Sequence, residues 1–141
     1  MTTLSPLAAA IAELKANATV STLTSRIRAV EPGPGDALGA GQYLPFIVLS
    51  QLDAPWQAPT ATARVSVGMR CYAASYPEAE ELYLAAAAVF HRTGPRIASS
   101  RLGIYNSLSL GGGTIDKDPD TAQPYAYGVI ELNVSIQPIP A

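Results

Sequence analysis

The chain has 141 residues, enough for one domain around a single core and too few for two of ordinary size. Lys and Arg number 9 against 11 Asp and Glu, a formal charge of −2, which implies no basic surface of the kind that neutralises phosphates and disfavours generic nucleic-acid binding. Only 14% of residues are charged while 48% are hydrophobic, so part of the exterior is expected to lie against other protein.

The N-terminal stretch MTTLSPLAAAIAELK lacks a basic start and carries Glu13 within its apolar stripe, so it reads as a folded helix and not a signal peptide. Ser5 is placed to cap that helix and Pro6 to occupy its first turn. Leu7, Ile11, Leu14 and Ala18 then recur on one face, and the helix is expected to end near Asn17. TSRIRAV follows as a first strand, stopped by EPGPGDALGAGQ, a long loop in which Gly and Pro forbid both ladder and helix. YLPFIVLSQL is almost continuously apolar, as in a strand covered on both sides, with Pro45 at its start or edge. DAPWQAPTAT then sets Trp56 in a loop between two prolines, either as a lid on the core or as a partner contact.

In RVSVGMRCY the period is two. Val65, Val67, Met69 and Cys71 point one way, and Arg64, Ser66, Gly68, Arg70 and Tyr72 the other. The alternation stops at Ser75-Tyr76-Pro77-Glu78, which carries the pattern of a capping box with Pro in the first turn, so a helix must begin there. Ala79, Leu82, Tyr83, Ala86 and Phe90 form its core stripe, and Gly94-Pro95 is expected to end it. No charge falls between Leu82 and Phe90, so Leu84, Ala87 and Ala88 extend apolar surface round the back. That surface reflects either the helix propensity of alanine or a face against a neighbouring subunit.

RIASSRLGIYNSLSL alternates weakly and suggests another strand, before GGGTIDKDPDTAQP, which reads as a flexible loop. The last strand is the clearest: Ile130, Leu132, Val134 and Ile136 make one apolar row opposed by Val129, Glu131, Asn133 and Ser135. No apolar run approaches the roughly 18 residues that cross a bilayer, and no membrane partner is expected. The order helix, three strands, helix, two strands predicts a single α+β domain over 1–141. It has two layers: a mostly antiparallel sheet of four to five strands, with two helices packed on one face and the other face polar.

Candidate chemistry is sparse. His91 sits late in the second helix, where the helix dipole favours an imidazole at the surface. Cys71, the one cysteine, lies in an apolar row, where a thiol acts as a small hydrophobe; it excludes an internal disulfide and is compatible with folding in a reducing cytoplasm. Asp116, Asp118 and Asp120 alternate like a cation loop, but Pro119 and the missing Gly and Glu depart from the EF-hand pattern. LGGGT lacks the spacing and the Lys of a phosphate loop. The tyrosines are not clustered with Lys or Arg in sequence, so stacking on nucleotide bases is not indicated, whereas tyrosine is favoured at protein interfaces. No catalytic, cofactor or metal residues are assigned. The interface candidates are Trp56, Leu84, Ala87, Ala88, Tyr125 and Tyr127.

Leu44-Pro45-Phe46 leading into a strand, the strand-to-helix junction from Ser75 to Leu82, and Asp120-Thr-x-x-Pro124 before the last strand together resemble the small tail terminator, or tail completion, proteins of long-tailed bacteriophages. The resemblance spans most of the chain. It implies a non-enzymatic α+β protomer that closes into a ring, typically a hexamer, on the head-proximal end of the tail tube. The ring ends tube polymerisation and joins the DNA-filled head, which makes its partners further copies of itself, the tail tube protein and a connector or stopper protein. Genomic DNA would pass through the lumen without specific binding. The location implied is the virion, with assembly in the host cytoplasm. Two alternatives stay open: another neck component, such as a head completion protein or connector adaptor, and a small ligand-binding α+β module in which His91 and an acid of DKDPD would converge.

Overall fold

A computed structural model describes residues 6–24, 26–28, 45–53, 56–57, 62–91, 96–97, 102–117 and 123–136. The expected glycine- and proline-rich loop at 31–42 lies outside them, as do Gly94-Pro95, Asp118, Asp120 and the prolines at 138 and 140. The elements are α1 (Pro6–Ala16), α2 (Ala18–Leu23), β1 (Ile27–Arg28), β2 (Phe46–Asp53), β3 (Trp56–Gln57), β4 (Thr62–Tyr72), α3 (Tyr76–Phe90), β5 (Arg96–Ile97), β6 (Leu102–Lys117) and β7 (Pro124–Ile136). One sheet runs in the order β1-β2-β4-β7-β6-β5, with β3 paired to β4. Every pairing is antiparallel except that of β1 with β2. The α+β class and the antiparallel character are as expected; β2, β4, β6 and β7 carry the sheet, and β1, β3 and β5 are two-residue additions.

Three helices, not two, cover the inner face. Asn17 divides the first helical stretch: its backbone is extended (φ −81°, ψ 124°) and its side chain accepts from the Val20 N–H at 3.1 Å, so it caps a fresh helix where the first one stops. The core stripe of α1 also differs from the expected one. Ala9, Ala10 and Leu14 are buried, Leu7 and Ile11 pack partly on the core, and Ala18 is exposed at the start of α2. At the far end of α2, the Thr24 hydroxyl donates to the Pro45 carbonyl at 2.6 Å and accepts from the Arg26 N–H at 3.0 Å, tying the helical layer to the start of β2.

The strand-to-helix switch occurs where expected. Ser75 is extended and its hydroxyl accepts from the Glu78 N–H at 3.4 Å, with Pro77 in the first turn. The five residues of the predicted stripe of α3 are all buried. His91 leaves the helix, its N–H bonding the Ala87 carbonyl at 3.0 Å, and the buried Ser107 hydroxyl donates to the Phe90 carbonyl, pinning the helix end to β6.

On the inner face Val65, Val67, Met69 and Cys71 of β4 meet Ala126, Ile130, Leu132 and Val134 of β7, all within 1% of complete burial. Each large member of this row contributes about 1.5–3 kcal/mol of hydrophobic stabilisation. Gly128 interrupts the row for a steric reason: a Cβ there would overlap the ring and phenol oxygen of Tyr83, which lies across the strand. The glycine run at 111–113, expected in a loop, is instead within β6. The register against β7 shifts between Ser109 and Gly112 and again between Gly112 and Thr114, so the residues with least strand propensity sit at bulges. Trp56, also expected in a loop, is placed by its backbone in β3 opposite Ala63.

Replacing Gly128 by Ala is expected to lower the unfolding free energy by about 1–3 kcal/mol, because the Tyr83 ring must move from a packed position. Urea titration measures this. The same substitution in a Tyr83→Leu background should cost much less, and an equal cost in both backgrounds would contradict the assigned packing.

Candidate functional site

The outer face of the sheet departs from expectation in composition. Its Arg64–Asn133 end is polar, and Arg64 there lies 3.4 Å from Glu131, an ion pair worth well under about 1 kcal/mol because the Arg64 side chain is 70% exposed. Its other end is aromatic. Tyr72 of β4 pairs with Phe46 of β2 on one side and Tyr125 of β7 on the other. The Phe46 and Tyr72 rings stack at 4.5 Å between centroids, and Tyr125 lies tilted at 5.2 Å from Tyr72. Phe46, Val48 and Tyr72 are buried in this second apolar cluster, with Tyr125 packed against it.

Arg70 is exposed and crosses the open part of the cluster, its guanidinium 5.8 Å from the Tyr125 ring centre and 6.0 Å from that of Tyr127. Tyr127 has space to lie flat because Gly68, diagonal to it, carries no side chain; a Cβ there would stand 3.3 Å from the Tyr127 ring and hydroxyl and from Ser50 Oγ. A guanidinium held over two half-buried tyrosines is the composition of a protein-interface anchor: rigid aromatic area with a donor fork on top. The sequence pattern shows Arg70 and Tyr72 on one face of a strand, but their meeting with Tyr125 and Tyr127 depends on the β4–β7 register.

On the opposite side of the layer, α3 turns an exposed stripe outward. Leu84 is 61% exposed and Ala88 is exposed, as expected, but Ala87 is only 7% exposed and packs into the core. The α3 axis lies so that Ala86, Ala87, Val89 and Phe90 all bury, making the apolar back narrower than a count of uncharged residues suggests. Beside this stripe lies a cleft of about 150 Å³ lined by Leu23, Pro45, Ala73 and Leu82, with Glu78 and Glu81 at its rim. The structure thus brings Tyr125 and Tyr127 together, sets Leu84 and Ala88 on the far side, and places Trp56 by its backbone alone.

Of the residues weighed for catalysis, Cys71, His91 and Asp116 are described, and they lie on β4, at the end of α3 and on β6. Cys71 is fully buried, and desolvation pushes its thiol well above the usual range, so the nucleophilic thiolate is suppressed. His91 is exposed at the end of α3 that Ser107 pins, whereas Asp116 stands further along β6: Ser107 pairs with Leu132 and Asp116 with Tyr125, seven β7 residues apart, about 23 Å at strand rise. Asp116 lies in the last part of β6, opposite Tyr125, and its carboxylate accepts from the Lys117 N–H at 2.7 Å. Among the described residues, no three His, Cys, Asp or Glu side chains gather to hold a metal ion, and no helix is long and apolar enough to cross a membrane.

A scan of protein-family models and a search of curated proteins find no match to the sequence. Among solved structures, the fold matches a chain of the virion of a native gene transfer agent (GTA) particle. The TM-score is 0.70 over 93% of this chain and 95% of that one, at 19% sequence identity.

The native thiol of Cys71 is expected to react with an aromatic disulfide reagent only as fast as the chain unfolds, with denaturant accelerating labelling in step with unfolding. Immediate stoichiometric labelling of the folded protein would show an accessible, reactive thiol instead.

Proposed function

We propose that this chain is a non-enzymatic structural protein of a tailed-phage-like virion. In this reading it is a tail terminator that closes into a hexameric ring on the head-proximal end of the tail tube, halts tube growth and presents the joint to the head. The observation that carries the reading is the match over nearly the whole of both chains to a virion chain, which makes the entire domain, and not a fragment of it, a candidate for the same kind of role. The sequence resemblance at Leu44-Pro45-Phe46, Ser75–Leu82 and Asp120–Pro124 supports the finer reading.

Surface chemistry supports assembly. A closed ring uses a heterologous contact, in which one patch meets a different patch on the next copy. This domain carries two unlike patches, the Arg70 aromatic cluster and the cleft beside α3 that Glu78 and Glu81 line. The formal charge of −2 suits a lumen through which DNA slides without adhering. The burial of Cys71 and the separation of His91 from Asp116 favour a structural role over hydrolytic chemistry.

The purified chain is expected to sediment as a closed oligomer and to appear as rings by negative-stain microscopy. Tails assembled without it should exceed their normal length. A chain that stays monomeric at high concentration and leaves tube length unchanged would contradict the reading. Labelled chain found on heads that lack tails would point instead to a neck adaptor.

A further inference from the structure

We propose that the exposed end of β6 is a plug for a second copy of this chain: Ile115 and Lys117 of one copy enter the cleft between α2 and α3 of the next, where Lys117 meets Glu78 and Glu81. This inference rests on the self-assembly in the reading above and names the contact that joins neighbours.

The plug is read from the ladder. Ile115 pairs with Ala126, and Ala126 with Cys71, so Ile115 belongs to the row that faces the helices. Ala126 and Cys71 are fully buried, yet Ile115 is 41% exposed, so the described helices leave β6 uncovered at this end. Lys117, two residues on, shares that face and is exposed. Among the described residues, no strand pairs with the outer edge of β6 beyond Ile104. Asp116, between the two, turns to the outer face opposite Tyr125, and its carboxylate accepts from the Lys117 backbone N–H. No carboxylate among the described residues forms an ion pair with the Lys117 ammonium.

The cleft has a matching composition. Its floor is Leu23, Pro45, Ala73 and Leu82, and its volume of about 150 Å³ gives room for an aliphatic side chain. Glu78 and Glu81 are exposed beside it, and α3 holds no Lys or Arg to neutralise them. An apolar floor under carboxylates suits a cation carried on an apolar stem, with an aliphatic neighbour. Of the described cations, Arg26, Arg28 and Arg70 have partners of their own and Arg64 pairs with Glu131, leaving Lys15 and Lys117. Lys15 stands on α1 between the small, exposed Ala12 and Ala16, whereas Lys117 has the large, exposed Ile115 on its own face.

Position favours the same pairing. The Ala73 N–H bonds the Pro124 carbonyl and Pro124 pairs with Lys117, so plug and cleft lie at the same end of the strands. Pro45 leads into β2, whereas Lys117 is on β6, three strand spacings away in the sheet, about 14 Å. A contact from the β6 side of one copy to the β2 side of the next sets copies side by side at one height along the strands, without stacking their faces. It is heterologous, and it closes where the turn from copy to copy divides the circle. Thr114 and Asp116 pair with Tyr127 and Tyr125, so a copy docked on this edge lies beside the aromatic face.

The test treats an equal mixture of unlabelled and 15N-labelled wild-type chain with a water-soluble carbodiimide, which joins a lysine to a carboxylate in direct contact. The expected product, read by mass spectrometry, is a mixed-label peptide pair joining Lys117 to Glu78 or Glu81 at concentrations where the chain is assembled. Sedimentation of variants across a dilution series gives the second readout. Lys117→Glu and Ile115→Ser should each raise the concentration for half-assembly by about tenfold or more, and Lys15→Glu should leave it unchanged. Adding Glu81→Lys to Lys117→Glu should recover most of the loss, because opposite charges then meet again. Every substitution lies at an exposed position, and each variant is checked for native circular dichroism. Assembled chain that yields no mixed-label pair, or assembly indifferent to Lys117→Glu, would overturn the docking and leave the ring reading intact. A mixed-label pair in a particle that stops at a dimer would keep the docking and overturn the ring. A wild-type chain that stays monomeric at high concentration would overturn both.

Discussion

The unbroken antiparallel register of β4 against β7 is the constraint on which the rest of the structure depends. All 11 residues of β4 have a partner in β7, whereas the neighbouring ladders β2–β4 and β6–β7 contain shifts. Because side chains alternate, this single alignment sends Val65, Val67, Met69 and Cys71 to the helices and Arg64, Arg70 and Tyr72 to the opposite face. A slip by one residue would bury the arginines and strip the core of its central row. The same alignment places Arg70 beside Tyr127 and Tyr72 beside Tyr125, so core and candidate interface are two consequences of one pairing.

How much of this is legible in the sequence follows from the range of the forces involved. The β4-to-α3 switch is local: alternation, a Ser cap and a Pro in the first turn lie within a few residues of each other, and the element begins where they point. The row of β7 is equally plain, as is the Pro45 boundary of β2. What escapes a reading of the chain is set by tertiary partners. The glycines at 111–113 read as a loop by propensity, yet β7 supplies a ladder that carries them as bulges. The Asn17 cap looks like a helix end and is also a helix start. Ala87 belongs to the core although it lies outside the stripe read from the helical wheel.

The candidate site shows the same division. Tyr125 and Tyr127 are recognisable as interface residues by type, but Arg70, Phe46 and Tyr72 join them only through pairing across three strands, and the cleft is assembled from α2, β2, the end of β4 and α3. The resulting domain presents unlike chemistry in two places: arginine over aromatic rings on the outer face of the sheet, and carboxylates beside an apolar cleft near the same ends of the strands. Its one cysteine is a buried member of the core. The chain of like fold is part of a gene transfer agent virion, and the assembly role proposed above draws on that likeness.

The function proposed above has copies of this chain in contact with one another, and the aromatic face is the surface whose composition best fits such a contact. Tyrosine footprinting of the wild-type chain across a dilution series reads this directly. Tyr125 and Tyr127 should be protected at concentrations where the chain is assembled and become reactive together as it dissociates. Equal reactivity of both tyrosines at every concentration, assembled or not, would contradict the account.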